Sequence, residues 1–327
     1  GDDGAGLERL AGAVWGLHGD RPPVARALIF PQSGVVTTEP VIAAARRAFR
    51  AAGMAIPLGG GTRADFVNLN RATLPLPLMD LVGYAVNPQV HAFDNLSLVE
   101  TLAAQAATVE NTRRITAGLP IAIGPITLRQ RINPAATAAE RESASAELSP
   151  RVDPRQLSLF AAGWTLGSLR HLAGAAASSL TYFETTGPLG IMERRDGGTP
   201  HPRFPAPPGM LFPLYHLLAA VADFAGADLL STATDAPLAI QALALRAGRR
   251  CRLLVANLTE DRRRVAVTGL PLSSVAVRTL DESNAGTWRT DPDFLRASIG
   301  NRTNATHWEG TIDLLPFAIA VVDVDLF

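Results

Sequence analysis

A chain of 327 residues with 30 basic and 30 acidic side chains carries no net field to hold a polyanion, which excludes nucleic acid as a default partner. Apolar residues make up 47% and charged ones only 18%, which suits a large buried core and excludes a disordered chain. No apolar run reaches the roughly 20 residues of a membrane helix, and Gly1-Asp2-Asp3-Gly4 opens no basic-then-apolar leader, so neither membrane nor secretion is expected.

The lone Cys251 excludes an internal disulfide and fits a reducing, cytoplasmic setting. It stands in a strand-like run and is expected to be buried rather than reactive.

In chain order, Leu7 to Leu17 reads as a helix and Arg26 to Pro31 as a buried strand. A helix follows from Glu39 to Ala52, with Thr38 at its N-cap, Pro40 near its first position and Gly53 at its end. Ala55 to Leu58 is the next strand, opening onto Gly59-Gly60-Gly61-Thr62-Arg63-Ala64-Asp65-Phe66. Asp80 to Val86 is a third strand, running into Asn87-Pro88-Gln89-Val90-His91-Ala92-Phe93-Asp94. Ser97 to Ala117 has helical spacing, and Pro120 to Gly124 is a fourth strand that opens onto Pro125 to Arg129.

From Gln130 to Pro154 the pattern fades into a long loop. A helix over Leu157 to Gly174 then feeds a buried strand from Ser178 to Phe183 that ends on Glu184. A Pro/Gly-rich loop, Gly187 to Gly209, leads to an amphipathic helix over Met210 to Ala225.

Alternating strand and helix predicts an α/β fold with a parallel sheet, a (β/α)8 TIM-type barrel whose polar clusters sit at the strands' C-terminal ends. A full barrel takes eight strands and about 250 residues, and fewer strong strands are visible here, so the first strands are expected to be missing from this chain. After Gly226 the spacing changes to short strands separated by Gly, Pro, Asn and Asp, predicting a C-terminal antiparallel β-sandwich. The expected division is a barrel domain over 1–227 and a sandwich over 228–327.

Candidate chemistry converges on the strand exits. Glu184, an acid at the end of an apolar strand, is the expected catalytic carboxylate. Asn87, Gln89 and His91 alternate along one segment, so they are expected to share a face and grip a polyhydroxylated ligand. His91 is the second catalytic candidate; Asn87, Gln89, Asp65, Asn68, Arg129 and Tyr182 are the substrate-binding ones. Asp65 could equally be an N-cap, and Arg129 and Arg131 could face an oxyanion or pair with loop acids.

The Gly59 to Gly61 run lacks the lysine and spacing of a phosphate loop; its glycines are expected to let the backbone pass close to a ligand or turn tightly. Without HExxH or paired-cysteine spacing no metal or cofactor is expected, and without G-x-S-x-G no serine nucleophile.

Six segments carry a resemblance to a known family. They are Gly59 to Arg71, Asn87 to Asp94, Ser97 to Gln105, Val152 to Phe160, Tyr182 to Gly187 and Phe212 to His216. Together they resemble the D-apionate lactonase family, hydrolases that open the lactone of a branched-chain sugar acid. That resemblance implies a barrel distantly similar to retaining glycoside hydrolases, flanking β-domains, a longer N-terminus, and a small sugar lactone as the ligand, with oligomeric state left open. The roles expected here come from chemistry: Glu184 as base on water or as nucleophile, His91 as acid, helped by Asn87 or Arg129. A glycoside hydrolase, which needs a second carboxylate such as Asp65 or Asp94, and an inactive carbohydrate-binding barrel are the alternatives.

Overall fold

The alternating apolar runs pair as a parallel sheet in a computed structural model that describes residues 5–16, 24–133, 148–197, 200–269, 274–296, 303–304 and 310–325. Gly1 to Gly4, Leu17, Phe327 and the 134–147 part of the expected long loop lie outside the described residues. The chain falls into two compact units. One comprises Gly1–Asn87, Ala106–Arg141 and Ala175–Tyr182; the other comprises Pro88–Gln105, Glu142–Gly174 and Phe183–Phe327. Among the described residues no helix is long and apolar enough to cross a membrane.

The first unit holds strands β1 (Ala27–Leu28), β2 (Leu58–Asp65), β3 (Leu81–Val86), β4 (Ile121–Ile126) and β5 (Ser179–Tyr182). They lie side by side in chain order and every pairing is parallel, the sheet of a partial barrel. Val82, Tyr84, Ile123 and Ile126 are fully buried in it. Helix α1 (Ala5–Gly16) precedes the sheet, and α2 (Glu39–Ala51) turns Ile42, Ala45 and Phe49 inward.

Thr38 does occupy the α2 N-cap with extended backbone, although its hydroxyl makes no capping bond. Gly53 adopts φ +72° and donates to Arg50 O, ending the helix as its sequence position predicts.

The glycine run is a correction to the sequence reading. Gly59, Gly60 and Gly61 are not a loop beyond the strand but the strand β2 itself. A Cβ on Gly59 would lie 2.0 Å from Leu81 O, one on Gly60 2.4 Å from Thr37 Oγ1, and one on Gly61 2.2 Å from Gly83 O. These residues are glycine because the neighbouring backbone and Thr37 come too close for any side chain. Thr37 fills the space, donating to Ile29 O at 2.6 Å and accepting from Gly61 N at 3.1 Å.

A second correction concerns β5. Its residues are half-buried and Thr181 is exposed, because β5 ends the sheet order and pairs only with β4 among the described residues.

In the second unit, α5 (Leu159–Gly174) is buried at every residue from Leu159 to Ser168. Trp164 Nε1 donates to Leu98 O at 3.0 Å and Ser168 Oγ to Gln105 Oε1 at 2.6 Å, so the helix's polar atoms are satisfied inside the core. Helix α4 (Asn95–Ile115) supplies Leu98 and Gln105 from its first half. A third helix, α6 (Pro213–Ala222), buries Leu214, His216 and Leu217.

The C-terminal strands form a six-stranded antiparallel sheet and a two-stranded one. The larger contains β6 (Asp228–Leu230), β7 (Ile240–Ala247), β8 (Arg250–Asn257), β10 (Ser274–Leu280), β11 (Thr303–Asn304) and β13 (Ile319–Asp325). The smaller pairs β9 (Arg263–Ala266) with β12 (Thr311–Leu314). Strands β8 and β13 are central, and Cys251, Val255, Ala320 and Val322 sit in the apolar core there. Strands β6, β11 and β12 are only two to four residues long.

Candidate active site

In the first unit the parallel strands bring Asp65, Val86, Ile126 and Tyr182 to one edge of the sheet. Register irregularities gather at that edge, between Gly61 and Asp65, between Tyr84 and Val86, and between Ile123 and Ile126. Such bulges end regular pairing and re-aim the side chains beyond it. Asp65 caps α3 (Phe66–Asn70), a helix absent from the sequence reading, and its Oδ1 accepts from Asn68 Nδ2 at 2.9 Å and from Asn68 N at 3.4 Å. Asn87 follows β3 directly, half-buried, and its buried Oδ1 has no hydrogen-bond partner among the described residues. Arg129 is half-buried beyond β4, its carbonyl accepting from Thr127 Oγ1 at 2.7 Å, and Tyr182 closes β5, also half-buried.

Two loops of the second unit carry the catalytic candidates. His91 is exposed on the loop that runs from Pro88 to Asp94. Gln89, two residues earlier, is 4% exposed and donates from Nε2 to Asp153 Oδ2 at 2.5 Å. The two side chains therefore do not share a face, contrary to the alternation expected. Strand β3 ends at Val86, and a period of two holds only inside a strand.

Asp153 caps the 3-10 turn Pro154–Leu157 and pairs with Arg155, Nε to Oδ1 at 3.0 Å and Nη2 to Oδ2 at 2.8 Å. Burial on its own would raise the Asp153 pKa; the hydrogen bonds from Arg155 and Gln89 and the Arg155 charge outweigh it and hold the carboxyl below its ordinary value. Arg155 Nη1 then donates to Phe93 O at 2.9 Å and to Asn95 Oδ1 at 3.0 Å. The His91 loop is thus held at Gln89, Phe93 and Asn95 by a single ion pair.

Glu184 is exposed on the second loop, which follows β5 after Phe183, a buried residue at φ +52°. Its N–H donates to Leu189 O at 2.9 Å, Gly190 N to Gly187 O at 2.8 Å, and Gly187 N to Met192 O at 2.9 Å. Gly187 takes φ +83°, and a Cβ on Gly190 would stand 2.7 Å from the Thr186 backbone, so this loop is folded tightly on itself. Gln156, 3% exposed, donates from Nε2 to Gly190 O at 2.7 Å. The turn that grips the His91 loop therefore also grips the Glu184 loop.

An exposed carboxylate and an exposed imidazole on two fixed loops can accept and donate protons to a small molecule. Asp153, Arg155 and Gln156 were not among the sequence candidates. The local signal was an Asp-Pro helix start, which foretells the cap and is silent about its partners.

Comparison with known proteins bears on both units. Residues 22–226 match the family model for the D-apionate lactonase TIM barrel domain, and residues 237–322 match that for the D-apionate lactonase C-terminal immunoglobulin-like domain. A D-apionate lactonase of Brucella anthropi is 36% identical over 154 residues, which span 47% of this chain and 25% of that protein. The chain thus aligns with about a quarter of that relative's length. In fold it is similar to a GH30 endoxylanase from Clostridium papyrosolvens C71, at TM-score 0.56 and 11% identity over 99% of this chain and 72% of that one. It is similar also to an α-L-arabinofuranosidase from Thermotoga maritima, at TM-score 0.54 and 13% identity over 87% of this chain and 61% of that one. At such identities the likeness is one of fold. With a family model matching most of its length in one continuous barrel segment, the chain belongs to the D-apionate lactonase family.

Proposed function

We propose that this chain carries catalytic residues for hydrolysis of a sugar-acid lactone, D-apionolactone to D-apionate, in the cytoplasm. Family membership and the D-apionate lactonase of Brucella anthropi support the substrate class. The observation that supports the residues is the shared anchorage of the Glu184 and His91 loops on the turn Pro154–Leu157.

In this reading Glu184 takes a proton from water as the oxygen attacks the lactone carbonyl carbon. The resulting tetrahedral oxyanion collapses, the ring C–O bond breaks, and His91 gives a proton to the departing alkoxide. The products are a carboxylate and a free hydroxyl, with one water consumed. Gln89 is committed to Asp153 and serves the loop.

The test is proton release on ring opening of D-apionolactone by the wild type and by Glu184→Gln, each with intact fold. The substitution is expected to lower kcat by roughly a hundredfold or more, the scale of a lost general base. Full activity of Glu184→Gln would end this reading. Turnover in labelled water tests the nucleophile role of Glu184: label entering its carboxylate identifies an anhydride intermediate. Release of a reducing sugar from an aryl glycoside, with no lactone opened, would instead identify a glycoside hydrolase.

A further inference from the structure

The segment from Asp153 to Gln156 sits between a rigid base and two exposed loops. On its C-terminal side it runs straight into α5, buried at every residue from Leu159 to Ser168. Ser158 locks that junction, its hydroxyl donating to Arg155 O at 2.6 Å and accepting from Ala161 N at 3.3 Å. On its other side Arg155 reaches Phe93 O and Gln156 reaches Gly190 O, both loop backbone, while Asp153 and Arg155 also meet the side chains of Gln89 and Asn95. Contacts to carbonyl oxygens fix where a loop runs whatever side chains it carries, so they set the backbone under His91 and Glu184.

The guanidinium engages all three of its nitrogens. Arg155 uses Nε and Nη2 on Asp153 and Nη1 on Phe93 O and Asn95 Oδ1, so the planar fork dictates the direction of the third contact. An ion pair with its acid 4% exposed is a weak source of stability, because desolvation offsets its attraction; what it supplies is a defined geometry.

We propose that Asp153, Arg155 and Gln156 are positioning residues: together they form a strut that sets the spacing of the imidazole of His91 and the carboxylate of Glu184. This rests on the catalytic reading above. The strut itself touches no reacting atom.

The test is a pair of double-mutant cycles on D-apionolactone hydrolysis, with the thermal midpoint measured for every variant. Asp153→Asn keeps an acceptor for Gln89 but loses the charge that orients Arg155; Gln156→Met keeps the length of the side chain and loses the donor to Gly190 O. Each is expected to lower kcat by roughly ten- to a hundredfold, the cost of misplacing a catalytic group by about 1 Å, with KM little changed. In a His91→Ala background Asp153→Asn is expected to cost nothing further, and in a Glu184→Gln background the same holds for Gln156→Met.

Losses that multiply independently would overturn the strut, as would losses that vanish on cooling below the variant's unfolding range. Arg155→Lys, which keeps the charge and loses the fork, serves should Asp153→Asn fail to fold, with the same non-additivity expected. Full activity in His91→Ala and Glu184→Gln would bring down the catalytic reading and the strut with it; impaired singles with multiplying losses would bring down the strut alone.

Discussion

His216 Nε2 lies 2.7 Å from the carbonyl oxygen of Trp288, while the ring's other nitrogen, Nδ1, is buried without a hydrogen-bond partner among the described residues. A carbonyl only accepts, so Nε2 carries the proton and Nδ1 the lone pair. The ring is packed edge-on among Tyr215, Trp288 and Phe294. Burial pushes its pKa down, and the Trp288 carbonyl and the Asp291 charge only partly offset that.

The consequence for stability has a definite sign. Above the ordinary value of 6.5 the ring is neutral folded and unfolded, and the burial carries no protonation penalty. As pH falls below that value the unfolded chain takes up a proton that the folded chain refuses, so stability declines until the folded pKa is reached. Urea midpoints taken between about pH 8 and pH 5 should fall on the acid side, and His216→Gln, which can still donate to Trp288 O, should flatten that part of the slope. An unchanged slope in His216→Gln would show that His216 is not the source.

Asp323 offers a prediction about buried charge. It accepts from Arg252 Nε at 2.6 Å and from Arg278 Nη2 at 2.5 Å, and the Arg252 side chain is only 5% exposed. Asp323→Ala leaves that guanidinium with Ala220 O at 2.8 Å and Asp223 Oδ2 at 3.3 Å but without its closest carboxylate, and should destabilise by about 2 kcal/mol in urea denaturation. Arg264 and Asp313 pair at 2.8 Å with side chains 72% and 71% exposed, and Arg264→Ala should leave the midpoint unchanged. The ranking of the two, rather than either value, is the result to check.

The glycines of β2 make the reverse case, in which adding atoms does the damage. Gly61→Ala would set a methyl 2.2 Å from Gly83 O at φ +132°, and nothing in a paired strand can yield by that distance. A loss of about 3 kcal/mol, or failure to fold, is expected. Gly174→Ala, at the end of α5 with nothing within 4 Å of the added carbon, should match or exceed the wild type by up to about 1 kcal/mol. Thermal midpoints of the two variants decide it.

Cys251 is fully buried in β8, and burial pushes its thiol pKa up, with the Asp323 charge adding to that and Arg246 opposing it. Ellman's reagent should leave the native protein unlabelled near neutral pH and titrate one thiol once urea unfolds it. Rapid labelling of the native state would show that the strand opens locally.

Some of this protein was legible because local rules were enough. Leu81 to Val86 is an apolar run between turn residues and became β3; the Ala-rich stretch after Ser97 became most of α4. Gly53 ended α2 because only the left-handed backbone it adopts lets the chain leave a helix there. The change of spacing after Gly226 marked the antiparallel strands, whose hydrophobic alternation is a property of each segment alone.

The misreadings share one physical cause. Glycines at Gly59 to Gly61 have no side chain to reveal their environment, and Leu81 O and Gly83 O, which exclude a Cβ there, belong to a different strand. Gln89 and His91 differ by two positions and look alike as polar loop residues; Asp153, 64 residues away, buries the one and leaves the other outside. Gln156 meets Gly190 across 34 residues, a pairing no spacing rule reaches.

The order of strands and helices, the partial barrel followed by a sandwich, and the kinship to a lactonase family were determined by the sequence, since periodicity, breakers and motif segments are local to it. Which polar groups are consumed by the fold and which stay open for chemistry was decided only by tertiary structure, because a hydrogen-bond donor is committed by the acceptor it meets in space.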